Sequence, residues 1–131
     1  MIGLDTNILV RYLSQDDPDQ AAHATRIIER ELTEESSGFI GLVVLVETTW
    51  VLRRLYRATP EEILETVNDL LSSRTIVVEN RDVVARAVAS CAATGCDFAD
   101  ALIAASALSA GCTKIMTFDR GAARAGMTLA D

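Results

Sequence analysis

The chain has 131 residues and a mass of 14.1 kDa; half of its residues are hydrophobic and its formal net charge is −7 at pH 7. This length predicts one domain, residues 1–131, with a core large enough to fold without stabilising disulfide bonds. The composition excludes a disordered chain. The acidic balance argues against broad, non-specific nucleic-acid binding, which relies on a basic surface. It leaves room for a nucleic-acid enzyme whose acidic site is neutralised by a metal ion.

The sequence also predicts a cytoplasmic protein. No apolar run approaches the roughly 18 residues of a membrane span, so we expect no membrane partner. The chain opens without the basic segment of a signal peptide. The three cysteines, Cys91, Cys96 and Cys112, fit no zinc-binding spacing. We expect all three to be small buried thiols in a reducing compartment.

In chain order, short apolar or β-branched runs alternate with amphipathic segments, which is typical of an α/β protein. The predicted strands are residues 1–4, 39–41, 75–78, 114–118 and, as an edge strand, 127–129. The predicted helices are residues 6–13, 20–35, 45–56, 60 to about 72, 81–93 and 97–110, with a weak helical turn at 121–125. Because the strand runs are uninterrupted by polar residues, we predict a three-layer α/β/α sandwich with a short, mainly parallel sheet of four or five strands.

Four acidic residues fall where such a fold would gather them. Asp5 follows the first predicted strand and Asp119 follows the fourth. Glu47 and Asp100 lie at the starts of helices that follow the same edge of the sheet, where ligands of open α/β sheets bind. Crowded carboxylates repel one another, and a hard cation such as Mg²⁺ or Mn²⁺ removes that cost. The only histidine, His23, is expected on the surface away from this edge.

Each acid also has a structural alternative. Asp5 can cap the helix that follows it, and Asp97 is the expected N-cap of the helix in which Asp100 can complete a capping box. Glu47 can be a first-turn acid favoured by the helix dipole. It is nevertheless the only charge in an apolar stretch, so its carboxylate needs a partner. Asp119 can be a turn residue or part of an ion pair.

A family pattern covers nearly the whole chain. The segments that carry it are Ile2-Gly3-Leu4-Asp5-Thr6-Asn7, Glu47 at the opening of an apolar helix, Asp97-Phe98-Ala99-Asp100-Ala101-Leu102-Ile103-Ala104, and Thr117-Phe118-Asp119. With these segments the sequence resembles the PIN-domain ribonucleases, specifically the VapC-like toxins of bacterial type II toxin–antitoxin modules. The resemblance implies a Mg²⁺- or Mn²⁺-dependent endoribonuclease, a homodimer, and a cognate antitoxin whose C-terminal segment lies across the active-site groove.

The resemblance also implies roles for individual residues. The implied catalytic acids are Asp5, Glu47, Asp100 and Asp119. Of these, Asp5, Asp100 and Asp119 would hold one or two metal ions, while Glu47 would complete a second site or orient the attacking water. The implied supporting residues are Thr6, Asn7, Asp97 and Thr117. Arg11 and Arg120, which lie close to two of the acids in the chain, are the expected contacts to RNA phosphates.

Other functions remain open from the residues alone. A haloacid-dehalogenase-type phosphatase also places an aspartate after its first strand, but it uses a second aspartate two residues later, where this chain has Asn7. A response-regulator receiver needs a lysine after a late strand, whereas Lys114 stands at the beginning of its predicted strand. A non-catalytic interaction module on a PIN-like scaffold is the third alternative, and the presence of all four acids gives no support for a loss of activity.

Overall fold

A computed structural model describes residues 1–130, and the chain divides into two compact units. The first unit contains Met1–Ala58 and Asp69–Glu79. The second contains Thr59–Asn68 and the chain from Asn80 onward. Asp131, the last residue of the predicted domain, lies outside the described residues. The single domain over residues 1–131 therefore stays a prediction.

Every strand pairing in residues 1–130 is parallel. The strands are β1 (Ile2–Gly3), β2 (Gly38–Ile40), β3 (Ile76–Val78), β4 (Met116–Thr117) and β5 (Thr128–Leu129). In the first unit β2 is central, with β1 on one side and β3 on the other, and Gly38 pairs with both Ile2 and Ile76. In the second unit β4 pairs with β5. All five predicted strands are present, and the α/β class with parallel strands is confirmed.

Six α-helices connect these strands. They are α1 (Thr6–Ser14), α2 (Pro18–Arg26), α3 (Leu42–Leu55), α4 (Pro60–Ser72), α5 (Arg81–Thr94) and α6 (Phe98–Ser109). A π-helical turn, Ile27–Glu31, continues α2, and a 3₁₀ helix spans Gly121–Ala125. The predicted helix 20–35 is therefore shorter at its end, and it begins earlier because Asp17 caps it: the Asp17 carboxylate accepts the Gln20 amide at 3.1 Å.

The start of α3 corrects the sequence-based boundary. The helix begins at Leu42 rather than at residue 45, and its N-cap, Gly41, has no side chain to offer. The Leu42 amide donates instead to the Glu79 carboxylate at 2.8 Å. This cap comes from the end of β3, 37 residues away, so no local pattern could reveal it. Glu47 consequently lies in the second turn of α3, and the prediction of a first-turn acid is wrong.

Local signals predicted the other helix boundaries well. Thr59 and Glu62 form a reciprocal capping box at the start of α4, with bonds of 2.9 and 3.1 Å. Hydrogen bonds from the Thr59 amide and hydroxyl hold the pKa of Glu62 below its usual value. Gly95 ends α5 in the left-handed conformation, with φ at 72°. Asp97 caps α6, as predicted.

Each unit has its own apolar core. The fully buried side chains include Leu9, Ile40 and Leu45 in the first unit and Val67 and Val84 in the second. Cys91 and Cys96 are buried in the second unit, as predicted. Cys112 is exposed, so the prediction of three buried thiols is wrong for it. The reason is its place in the turn after α6, next to Gly111 with φ at 102°.

His23 lies exposed on α2, as predicted. Within residues 1–130, no helix combines the length and the apolar character that crossing a membrane requires.

Candidate catalytic site

Asp5 lies between the end of β1 and the start of α1. The Leu4 amide donates to the Phe39 carbonyl at 2.9 Å, which ties the end of the strand to β2. Asp5 then adopts an extended backbone and caps α1, its Oδ1 accepting the Thr6 amide at 2.8 Å. Asp5 therefore acts as a helix N-cap, which is the structural role that the sequence also allowed. The residue is exposed, and a carboxylate that accepts one hydrogen bond retains capacity for further donors or a cation.

Thr6 joins Asp5 to Glu47. The Thr6 hydroxyl donates to Glu47 Oε1 at 2.5 Å across 41 residues of sequence, while the Thr6 amide holds Asp5. Thr6 is buried, whereas both acids are exposed. The single charge in the apolar stretch of α3 therefore has the partner that its surroundings predicted, and one buried threonine sets the positions of two carboxylates.

Asp97 and Asp100 form a second acidic pair at the start of α6. Asp97 Oδ2 accepts the Asp100 amide at 3.4 Å, and both residues are half-buried. The negative charges of this pair also affect a buried cysteine of the same unit. Burial, followed by the hydrogen bond to Cys96, raises the pKa of the Cys91 thiol to about 12, and the negative charges of Asp97 and Asp100 add to this shift.

Asp119 is held by a local turn after β4. Its Oδ1 accepts the Gly121 amide at 2.8 Å, and its own amide donates to the Thr117 hydroxyl at 3.0 Å. The structural alternative of a turn residue is therefore realised here also. Thr117, implied above as a supporting residue, positions the backbone of Asp119 directly. The Asp119 carboxylate remains exposed next to Gly121.

The acids are arranged as pairs rather than as a ready-made cluster. Among residues 1–130, no three acidic, histidine or cysteine side chains lie close enough to form a metal centre. The first unit holds Asp5 with Glu47, and the second holds Asp97 with Asp100, with Asp119 at a strand end. The donor set is all oxygen, from carboxylates and a threonine hydroxyl. This chemistry fits a hard cation such as Mg²⁺ or Mn²⁺ rather than zinc.

The two arginines expected to contact RNA, Arg11 and Arg120, have different surroundings. Arg11 donates to Gln20 at 2.7 Å, to Tyr56 at 3.1 Å and to Asp16 at 3.3 Å. A phosphate at Arg11 would have to compete with these acceptors. Arg120, directly after Asp119, is exposed, and so is Asn7 on α1.

The sequence patterns did not single out Phe118. Its ring, immediately before Asp119, is 87% exposed, the largest exposed fraction among the big hydrophobic side chains of residues 1–130. An apolar run ending at Phe118 predicts a buried strand residue. In the structure β4 ends at Thr117, so Phe118 lies outside the sheet.

A family model described as the PIN domain matches residues 2–126. This span includes β1 to β4, all six α-helices and the five candidate acids Asp5, Glu47, Asp97, Asp100 and Asp119. Together with the parallel strands, the match confirms the predicted PIN-like α/β sandwich class. PIN domains are generally nucleases and typically bind divalent metals. A comparison with curated proteins finds no match.

Proposed function

The chain belongs to the PIN domain family, and from that premise we propose that it is a Mg²⁺- or Mn²⁺-dependent endoribonuclease, the toxin of a VapC-like toxin–antitoxin module. The observation that carries the proposal is the Thr6 bridge between Asp5 and Glu47. An exposed glutamate held by a buried hydroxyl 41 residues away is a costly arrangement for stability alone, because it orders a surface charge. It is well suited to orienting a carboxylate for chemistry.

The proposed site uses acids from several segments. Asp5, Asp100 and Asp119 would hold the metal, as the family pattern implies, while Thr6 orients Glu47. A bound divalent cation would supply an acidified water and stabilise charge on the phosphate. Glu47 accepts the Thr6 hydroxyl through Oε1, so its other oxygen can accept a hydrogen bond from the attacking water. Asp97 supports Asp100 by capping α6. Asn7 offers an exposed amide one residue beyond the bridge.

The proposed substrate is RNA. Arg120 is exposed directly beside Asp119 and can contact a phosphate, and the exposed ring of Phe118 can stack on an unpaired base. Arg11 remains a proposed contact that would exchange its present partners for phosphate. With a net charge of −7, electrostatic attraction cannot drive general RNA binding. We therefore propose selective recognition of a folded RNA rather than general degradation.

The proposed protein partners are a second copy of the chain and an antitoxin. Helix α3 carries Val43 and Leu55, which are 83% and 70% exposed. Trp50 is half-exposed on the same helix, with the Arg54 guanidinium 5.4 Å from its ring centroid. Exposed apolar side chains on one helix are typical of interaction surfaces. These exposed side chains favour the second candidate function, a non-catalytic PIN-like interaction module.

A cleavage assay separates the two candidates. Purified protein is incubated with folded RNAs in Mg²⁺, in Mn²⁺ and in EDTA, and the products are mapped by their ends. We expect discrete cleavage in either metal, none in EDTA, and recovery when metal is added back. Cleavage that persists in EDTA contradicts the nuclease mechanism, and RNA or protein binding without cleavage in any metal supports the interaction module.

Thr6→Val tests the bridge itself. Valine keeps the β-branched shape but cannot donate to Glu47, so we expect kcat to fall about 10- to 100-fold with little change in KM. Thr6→Ser, which restores the hydroxyl, should recover most of the activity. The matched control is Thr49→Val, because the Thr49 hydroxyl is also buried but donates only to the Val46 carbonyl within α3. Equal losses in the Thr6 and Thr49 variants would show a general packing effect instead of positioning.

A further inference from the structure

Two cysteines face each other in the core of the second unit. The Sγ atoms of Cys91 and Cys96 lie 3.5 Å apart, and each residue is only 5% exposed. Cys91 belongs to the last turn of α5, and Cys96 directly precedes the cap of α6. We propose that this pair is a redox site, a dithiol that closes into an intramolecular disulfide and thereby changes the position of the acids at the start of α6.

The turn between the helices holds the two sulfurs together. Gly95 reverses the chain in the left-handed conformation, and its amide donates to the Cys91 carbonyl at 2.8 Å. The Cys96 amide donates to the Thr94 hydroxyl at 3.3 Å, which in turn donates to the Ser90 carbonyl at 2.9 Å. A disulfide has sulfurs about 2.05 Å apart, so closure requires a movement of roughly 1.5 Å. Rotation of the side chains with a small shift of this turn can supply that movement.

The oxidant that suits a buried pair is a small, neutral peroxide. One cysteine, as its thiolate, attacks a peroxide oxygen, the O–O bond breaks, and a sulfenic acid and one water are formed once a proton is taken up. The second cysteine then attacks the sulfenic sulfur, the S–O bond breaks, and a second water leaves as the disulfide forms. Two thiols lose two electrons and two protons in total, and the peroxide is reduced to two waters. A dithiol reductant reverses the closure by exchange.

The environment of Cys91 makes this reaction slow and orders its steps. Burial and the hydrogen bond to Cys96 raise the pKa of Cys91 to about 12, so at neutral pH this residue is a protonated thiol. Thiolate is the reactive form of cysteine. Cys91 is therefore suited to the second step, closing the disulfide on Cys96, and the pair responds to sustained oxidation rather than to brief exposure.

Closure of the disulfide acts on the acidic pair through the chain itself. Cys96 is bonded to Asp97, and Asp97 holds the Asp100 amide. Movement of Cys96 toward α5 therefore shifts the cap of α6 and both carboxylates. A displacement of about 1 Å in a positioning group can cost on the order of 100-fold in rate. This consequence for cleavage rests on the proposed function, whereas the formation of the disulfide does not.

The test oxidises the full chain with hydrogen peroxide in the Cys112→Ser background, which removes the exposed thiol. Intact mass and peptide mapping are expected to show a loss of about 2 Da and a Cys91–Cys96 cross-link that dithiothreitol reverses. Metal-dependent cleavage should fall at least about tenfold and recover on reduction. Cys91→Ala and Cys96→Ser, made separately in case one of them folds poorly, should each abolish the cross-link and the peroxide sensitivity.

The outcomes separate this inference from the proposed function. Oxygen adducts on single cysteines without a cross-link overturn the redox site. A complete cross-link with unchanged cleavage overturns its effect on the acids. Reduced protein that cuts no RNA in any metal contradicts the proposed function, and the mass measurement still decides whether the disulfide forms.

Discussion

Asp100→Asn is expected to lower RNA cleavage in Mg²⁺ by at least about 100-fold, since even residues that only orient metal ligands contribute 10- to 100-fold. Asparagine keeps the size of the side chain but removes the negative charge that a hard cation needs. The start of α6 should persist, because the Asp100 amide, not its side chain, donates to Asp97. The measurement is kcat/KM together with the melting temperature.

The matched control is Asp82→Asn. Asp82 occupies the first turn of α5 as Asp100 occupies the first turn of α6. Both substitutions therefore remove one negative charge from a favourable position near a helix N-terminus. We expect Asp82→Asn to leave cleavage within a factor of two of the wild type. Comparable losses in the two variants would attribute the effect to helix stability or to net charge rather than to the metal.

Leu45→Ala is expected to lower the free energy of unfolding by about 3 kcal/mol, within the range of roughly 2–5 kcal/mol for buried leucines. Leu45 is fully buried on α3, so its truncation removes apolar contacts and leaves a cavity. Val43 lies two residues away on the same helix and is exposed. Val43→Ala should therefore change stability by no more than about 0.5 kcal/mol. Urea unfolding of both variants provides the measurement.

This pair of variants tests the register of α3, on which the direction of Glu47 depends. In the register of α3, Leu45 and Thr48 face the core, while Val43, Glu47 and Trp50 are exposed. Similar destabilisation by both substitutions would contradict this register, and with it the exposed Glu47 on which the proposed chemistry depends.

Local sequence signals predicted most of the fold. The five apolar runs correspond to strands, and Asp97 marks the start of α6, as predicted, because it acts through a hydrogen bond to a near neighbour. The start of α3 could not be predicted, because its first amide is satisfied by Glu79, a residue remote in sequence. The exposure of Cys112 was missed for a different reason: a short turn, rather than the polarity of the residue, decides its environment.

For the candidate site, the sequence predicted the positions of individual acids but not the contacts between them. Position after a strand identified Asp5 and Asp119, and position at a helix start identified Asp100. The bond between Thr6 and Glu47 depends on the packing of α1 against α3, which residue patterns do not encode. Thr6 was predicted only through the family resemblance, as a supporting residue. The structure gives it a narrower role, since its hydroxyl orients one acid and its amide another.

The central claim is that Asp5 and Asp100, which the proposed function assigns to the metal, serve one divalent metal centre. Calorimetric titration with Mn²⁺ of the wild type, Asp5→Asn, Asp100→Asn and the double variant tests it most directly. For one shared centre, each single substitution should abolish most of the binding and the double variant should lose little more, because the effects of coupled residues do not add. Two independent sites would instead give single variants that each keep part of the binding, with losses that add in the double variant, and that result would contradict the account.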